Sequence, residues 1–364
     1  MRGRLLCTLL FVVILNGHGQ GYVAALPGYH YDFPRDHFNH PAYQTEWWYY
    51  TGNLRAKDGH RFGFELTFFR QGISRAASSS PWSVRDLYMA HLALSDVSGG
   101  RYYQMERLNR AGPGIAGVDP VSGLVWNGNW QSRIGAHSHH VRGIGEDFSF
   151  ELDAIPQKPP VVQGVNGVSQ KAEGIGHASH YISFTRMKSS GRIELNGITY
   201  QVDGDAWMDH EFFSESMNSD EVGWDWLSVQ LENNTELMLY RLRHKDGSVD
   251  PYSSGTYVDS QGTPLHLTLG DFVMTPSGEI YTSSKTGSTY PVAWTVTVPR
   301  LKLRLDIGTL LKNQEFKSRF GPSYWEGAID VKGNCNGQAV NGAGYLEMTG
   351  YSGLDGPFQL IAPH

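Results

Sequence analysis

The stretch QVDGDAWMDHEFFSES, residues 201–216, holds the densest cluster of acids and aromatics in the 364-residue chain. Read as a β-strand, it sends Asp203, Asp205, Trp207, Asp209 and Glu211 to one face and Val202, Gly204, Ala206, Met208 and His210 to the other. Four carboxylates then share a face with an indole, next to two Phe. A carboxyl held against apolar rings loses solvation of its charged form, so its pKa rises and it stays a proton donor near neutrality. Asp209 is the candidate for that role. The same residues also suit acids that cap turns, pair with Arg or face water at a domain junction, and the sequence leaves both readings open.

Working back from that stretch, Glu46-Trp47-Trp48-Tyr49-Tyr50-Thr51-Gly52 reads as a strand with rings on both faces, which must be covered on both sides. Lys57-Asp58-Gly59-His60 turns the chain, and Phe62, Phe64, Leu66 and Phe68 return in alternation with Gly63, Glu65 and Thr67. Those Phe are assigned to a barrel core. Residues 26–45, rich in Pro, His and Tyr, are expected to lie across the surface. Beyond residue 216 the pattern restarts: Trp224-Asp225-Trp226 echoes Trp47-Trp48-Tyr49, and Arg243 ends the following strand as Arg70 ended the earlier one. Many short strands without long helical windows predict an all-β chain of two antiparallel barrels from a duplicated unit, residues 40–216 and 217–355.

Composition bounds the function. Residues 1–25 read as a secretory signal: Arg2 and Arg4 precede an apolar run too short to span a bilayer, and Val23-Ala24-Ala25 supplies small residues for cleavage. The mature protein is expected in the periplasm or outside the cell. Its single remaining thiol, Cys335, allows no intramolecular disulfide. Net charge is −6, and loss of the leader leaves 28 basic against 36 acidic residues, so no nucleic-acid partner is expected.

Three motifs in order, Glu46 to Gly52, Trp207-Met208-Asp209-His210-Glu211-Phe212 and Gly223-Trp224-Asp225-Trp226, resemble the AttH and carotenoid 1,2-hydratase (hydroxyneurosporene synthase) family of lipocalin-like proteins over residues 40–352. The resemblance implies two lipocalin-like β-barrels in tandem. It also implies a hydrophobic, polyene or lipid-like ligand and a cofactor-free hydro-lyase reaction. The hydratases draw their acid from a Tyr-x-Asp element, which places Asp209 as the acid; Trp207 stands here where they have Tyr.

Hydration of an alkene needs an acid, shelter for a cation and a water. Asp209 and Trp207 are the catalytic candidates, with Trp48, Tyr50, Trp224, Trp226 and Glu211 as ligand contacts. Indole faces near the acid would stabilise positive charge. His137, His139 and His140 match no metal-site spacing and are read as solvated, so no metal is expected. A Gly-x-Ser-x-Gly elbow is absent, which argues against a serine hydrolase; glycoside cleavage by paired carboxylates stays open because sequence does not give their separation. A hydrophobic ligand is thus expected at the domain junction, either turned over by Asp209 or merely carried. Association with a membrane surface is compatible with both.

Overall fold

The computed structural model describes residues 21–75, 80, 83–214 and 220–351; most of the 1–25 leader, the boundary at 216–217 and the end of the second domain at 355 lie outside them. Among the described residues there is no α-helix, and the chain forms two large curled antiparallel sheets, tandem lipocalin-like barrels.

The first sheet contains β1 (Thr45–Ala56), β2 (Arg61–Gly72), β3 (Asp86–Asp96), β4 (Arg101–Arg110), β5 (Ala116–Asp119), β6 (Leu124–Asn127), β7 (Trp130–Ile134), β8 (His139–Ile144), β9 (Phe148–Pro156), β10 (Val161–Val162), β11 (Ser169–Gln170), β12 (Ala178–Leu195) and β13 (Ile198–Phe213). Its strand order is β4-β3-β2-β1-β13-β12-β9-β8-β7-β6-β5, with β10 and β11 added to β12. β4 and β5, the ends of that path, share no ladder, and side chains hold the seam instead. Arg107 donates to Asn127 O and lies 4.0 Å from the Trp130 ring centroid, while Asn127 donates to Tyr88 O.

The second sheet contains β14 (Glu221–Leu231), β15 (Glu236–His244), β16 (Ser254–Val258), β17 (Pro264–Thr268), β18 (Val273–Pro276), β21 (Trp294–Val298), β22 (Leu303–Gly308), β23 (Glu315–Phe316), β24 (Tyr324–Cys335) and β25 (Gln338–Met348), while β19 (Ile280–Thr282) and β20 (Thr289–Pro291) form a small hairpin. The same logic of turn and hairpin builds both. Asn196-Gly197 joins β12 to β13 and Asn336-Gly337 joins β24 to β25, all four residues with positive φ, the conformation a tight two-residue hairpin requires. In each barrel the first strand pairs with the last, β1 with β13 and β14 with β25, which brings the motifs at residues 46–52 and 207–212 side by side.

Each barrel has its own apolar core. Trp48, Tyr50, Phe62, Phe64, Phe68, Trp130 and Phe150 belong to the first core, and Trp294, Trp325, Leu305 and Leu239 to the second. Residues 26–45 do not simply cross the surface, because Phe38 joins the first core, Asp36 and His40 are buried, and His37 O accepts from Trp48 Nε1. Aromatic and apolar side chains in this segment gain more from covering the barrel end than from water.

The barrels meet through a third apolar cluster drawn from both, including Tyr49, Tyr181 and Trp207 against Trp226, Tyr240 and Tyr345. Buried Glu236 of the second barrel pairs with Lys158 at 2.7 Å and Arg186 at 2.7 Å from the first. Gly63 of β2 sits against the second barrel: a Cβ there would lie 2.6 Å from Tyr345 Oη and 2.8 Å from Ala328 Cβ. Gly63→Val should therefore cost about 1–3 kcal/mol, the usual overpacking penalty, read as a fall in the chemical denaturation midpoint; an unchanged midpoint would mean the barrels separate freely at this point.

Candidate functional site

Between the barrels lies a cavity of about 110 Å³. Its wall follows from strand alternation, since most strands that border it contribute residues two apart. From the first barrel these are Trp47 and Tyr49 of β1, Glu65, Thr67 and Phe69 of β2, and Asp209, Glu211 and Phe213 of β13. The second barrel supplies Trp224 and Trp226 of β14, Tyr324 and Glu326 of β24, and Glu347 of β25. Lys171 and Tyr181 complete one side.

Asp209 is buried, at 3% exposure, in the face predicted for it. Oδ2 accepts from Tyr181 Oη at 2.6 Å, and Oδ1 accepts from Ser183 Oγ at 2.5 Å and Trp207 Nε1 at 2.7 Å. Tyr181 Oη in turn accepts from Trp226 Nε1 at 3.2 Å. Burial pushes the carboxyl up, the three donors push it down, Glu211 adds to the rise, and the result is a pKa lifted from 3.8 to about 7. Such a group exchanges a proton near neutrality.

Glu211 accepts from Ser179 Oγ and pairs with Lys171 Nζ at 3.3 Å. Burial by itself would lower Lys171, but Glu211 and Tyr240 outweigh it and hold the ammonium charged, with Nζ 3.9 Å from the Tyr240 ring centroid. That charge is committed to Glu211 and the rings.

On the opposite side stand acids that the sequence reading did not single out. Glu65 and Glu326 are each 1% exposed. Glu65 Oε1 accepts from Thr67 Oγ1 at 3.0 Å and Tyr324 Oη at 3.1 Å; Glu326 Oε1 accepts from Tyr49 Oη at 2.7 Å. Burial raises both, and Glu347 with Glu65 pushes Glu326 further. Glu347 itself is raised to about 8, by burial first and by Glu65, Asp209 and Glu211, against a hydrogen bond from Trp224. Glu65 was hidden in the sequence as a polar partner of a Phe-rich strand; the signal available was that β2 is buried on both faces.

The other expected residues divide. Trp224, Trp226 and Glu211 reach the cavity, and Trp207 reaches Asp209 without lining it. Trp48 and Tyr50, expected as ligand contacts, belong to the first barrel's core instead. Tyr49 lies opposite Asp209 and Trp48 opposite His210, so the neighbours Trp47 and Tyr49 take the acid face. Trp48 stacks on His210 at 4.8 Å, and Tyr50 Oη contacts His139 Nδ1 at 2.9 Å. Asp203 is exposed and Asp205 pairs with Arg186 at 3.3 Å, outside the cavity. His139 is likewise buried rather than solvated, while His137 is exposed and His140 contacts Asp153 and Glu151, so these three do not converge.

A separate group, His40, Glu46 and His210, brings ligand-type atoms within 4.8 Å of one another. Glu46 Oε1 contacts both imidazoles, at 2.8 and 2.9 Å, and Oε2 accepts from Arg70 Nε at 2.9 Å. Burial alone would raise Glu46, but Arg70 and the imidazoles hold it well below the usual carboxylate range. The guanidinium supplies the cation that this carboxylate needs, which suits a structural network better than a metal centre.

The AttH-like family model matches residues 24–351. The crystal structure of an AttH protein from Nitrosomonas europaea is 32% identical, with 90% of this chain and 99% of that chain covered and a TM-score of 0.82. Kievitone hydratase from Nectria haematococca is 15% identical, with coverages of 91% and 96% and a TM-score of 0.67. CghA is 14% identical, with coverages of 92% and 98% and a TM-score of 0.56. At the last two identities the likeness is one of fold. A comparison with curated proteins gives no match.

The raised Asp209 carboxyl has a consequence for stability. Its folded-state pKa exceeds the unfolded value, so the fold prefers the protonated form and stability falls as pH climbs from about 4 to about 7. Asp209→Asn removes that loss. The variant should match wild type near pH 4 and exceed it by roughly 4 kcal/mol at pH 8, measured by denaturant unfolding; a gain that does not grow with pH would mean Asp209 ionises as it does in water.

Proposed function

Because this chain belongs to the AttH-like family, whose model spans nearly all of it, we propose that it binds a hydrophobic small molecule in the cavity between its barrels and adds water across a carbon–carbon double bond held there. The observation that carries the reading is Asp209: a buried carboxyl with a pKa of about 7, facing an enclosure walled by Trp224, Trp226 and Tyr49. The solved neighbour named as a hydratase supports the same choice of chemistry.

In the proposed reaction the Asp209 carboxyl delivers its proton to one alkene carbon as the π bond breaks. The cation on the other carbon is sheltered by indole and phenol faces. Water attacks that carbon, and the proton it sheds returns to the Asp209 carboxylate, so the net change is addition of H₂O. Tyr181, hydrogen-bonded to Asp209 and to Trp226, is placed to hold the carboxyl's orientation. A cavity of about 110 Å³ is smaller than the engineered cavity of about 150 Å³ that takes up benzene. It therefore suits a small ring or the branched end of a longer chain, not an entire carotenoid. The leader at residues 1–25 supports placing this activity in an exported protein.

The test is mass spectrometry of apolar compounds that co-purify with wild type and with Asp209→Asn, after incubation in H₂¹⁸O. Wild type should yield a species 20 mass units above the one held by the variant, and turnover should drop about tenfold per pH unit above pH 7 as the donor is lost. Identical compounds in both proteins would instead favour a carrier without turnover, and no apolar compound in either would remove the ligand reading.

A further inference from the structure

The cavity has two chemically different sides, and the proposed hydration uses only one. Opposite Asp209, Glu65 and Glu326 are buried carboxyls from different barrels, and each has one oxygen engaged and one without a hydrogen-bond partner among the described residues. The engaged atom is Oε1 in both. It accepts from Tyr49 Oη in Glu326, and from Thr67 Oγ1 and Tyr324 Oη in Glu65. The unpartnered atom is Oε2 in both.

No cation within the cavity serves this side, since Lys171 is bound to Glu211. His91 acts on Glu65 from a distance, and it contacts Tyr324 Oη at 2.6 Å through Nδ1 and lies 3.3 Å from Glu106 through Nε2. Burying two carboxylates with no cation in contact is costly, and the alternative is to keep the protons. Burial raises both acids; repulsion from Glu347 and Glu65 pushes Glu326 further, while His91 and the hydroxyls of Thr67 and Tyr324 offset part of the rise at Glu65. With Oε1 accepting, the acid hydrogen sits on Oε2, as an O–H with no acceptor. A buried donor left unmet is costly, so an acceptor brought by a ligand regains that cost.

Resting on the proposed function, we infer that Glu65 and Glu326 form an oxygen-binding wall, where unpartnered Oε2–H groups donate to a carbonyl or hydroxyl oxygen of the bound molecule. The ligand class narrows accordingly, from any apolar alkene to an oxygenated one: a compound whose oxygen is held on the Glu65–Glu326 side while its double bond lies on the Asp209 side. Neutral carboxylic acids discriminate here because they supply a hydrogen bond without the charge that would select an amine.

Three isosteric small-ring probes no larger than benzene separate the outcomes: cyclopentanone, methylcyclopentane and cyclopentylamine, titrated at pH 7 into the full protein while the indole N–H resonances are followed by NMR. Wild type should bind cyclopentanone about tenfold more tightly than methylcyclopentane. Glu326→Gln, which keeps an N–H donor, should retain most of that preference, and Glu326→Leu should bring the ratio close to one while methylcyclopentane still binds. Glu65→Gln and Glu65→Leu provide the same contrast should a Glu326 variant fail to fold. Equal binding of cyclopentanone and methylcyclopentane by wild type would overturn the inference and leave the apolar site intact. Tightest binding by cyclopentylamine would overturn it in favour of ionised acids and a cationic ligand. Failure of every probe to bind would overturn the proposed function along with it.

Discussion

Everything distinctive about this protein follows from placing carboxyls in the seam between two packed sheets. Five of them, Glu65, Asp209, Glu211, Glu326 and Glu347, border one small cavity with a single ammonium among them. Water would solvate these groups fully, but the seam offers hydroxyls, indole N–H groups and aromatic rings instead. Under that constraint they sort themselves by partner: Glu211 takes Lys171, Asp209 takes three neutral donors, and Glu65 and Glu326 have hydroxyl donors on one oxygen only. One environment thus produces an ion-paired acid, an acid balanced near neutrality and acids whose neutral form burial favours.

The tandem architecture is what makes such a seam available. Each barrel packs large aromatic and aliphatic side chains into a core of its own. Two barrels meeting through β1, β2 and β12 on one side and β14, β24 and β25 on the other create a new shared face, and the repeated sequence pattern places an aromatic residue of each on it, Trp47 in one and Trp224 in the other. The equivalent acids just beside them take a structural part instead. Glu46 is held by Arg70, and Asp225 by Arg241 and Arg243, each pair securing a central hairpin.

How much of this could be read from the chain depended on whether the information was local. Alternation along residues 201–213 is local, and it correctly assigned Asp209 and Glu211 to a common face and Phe62, Phe64 and Phe68 to a core. Choosing Trp47 and Tyr49 over Trp48 and Tyr50 required the register of β1 on β13, and a one-residue slip exchanges the two faces. In a strand with rings on both sides, nothing in the sequence breaks that tie. Glu326 and Glu347 were beyond reach for another reason. They belong to a hairpin that closes the second barrel, and they become site residues only because that barrel docks on the first.

The arrangement also explains why the seam holds acids that stability alone would disfavour. Apolar residues of similar volume at Glu65 and Glu326 would fill the same space without unmet donors, and replacing buried polar groups in this way is often neutral or favourable. The structural acids provide the contrast: Glu46 and Glu236 are fully buried too, yet their carboxylates are matched by guanidinium, imidazole or ammonium groups. Glu315, buried outside the cavity, is met by the hydroxyls of Ser283, Thr286 and Tyr290 instead, so the fold can also settle a buried acid without a cation. What sets Glu65 and Glu326 apart is that the oxygen left over in each belongs to a residue that lines a cavity, where a bound molecule can reach the carboxyl.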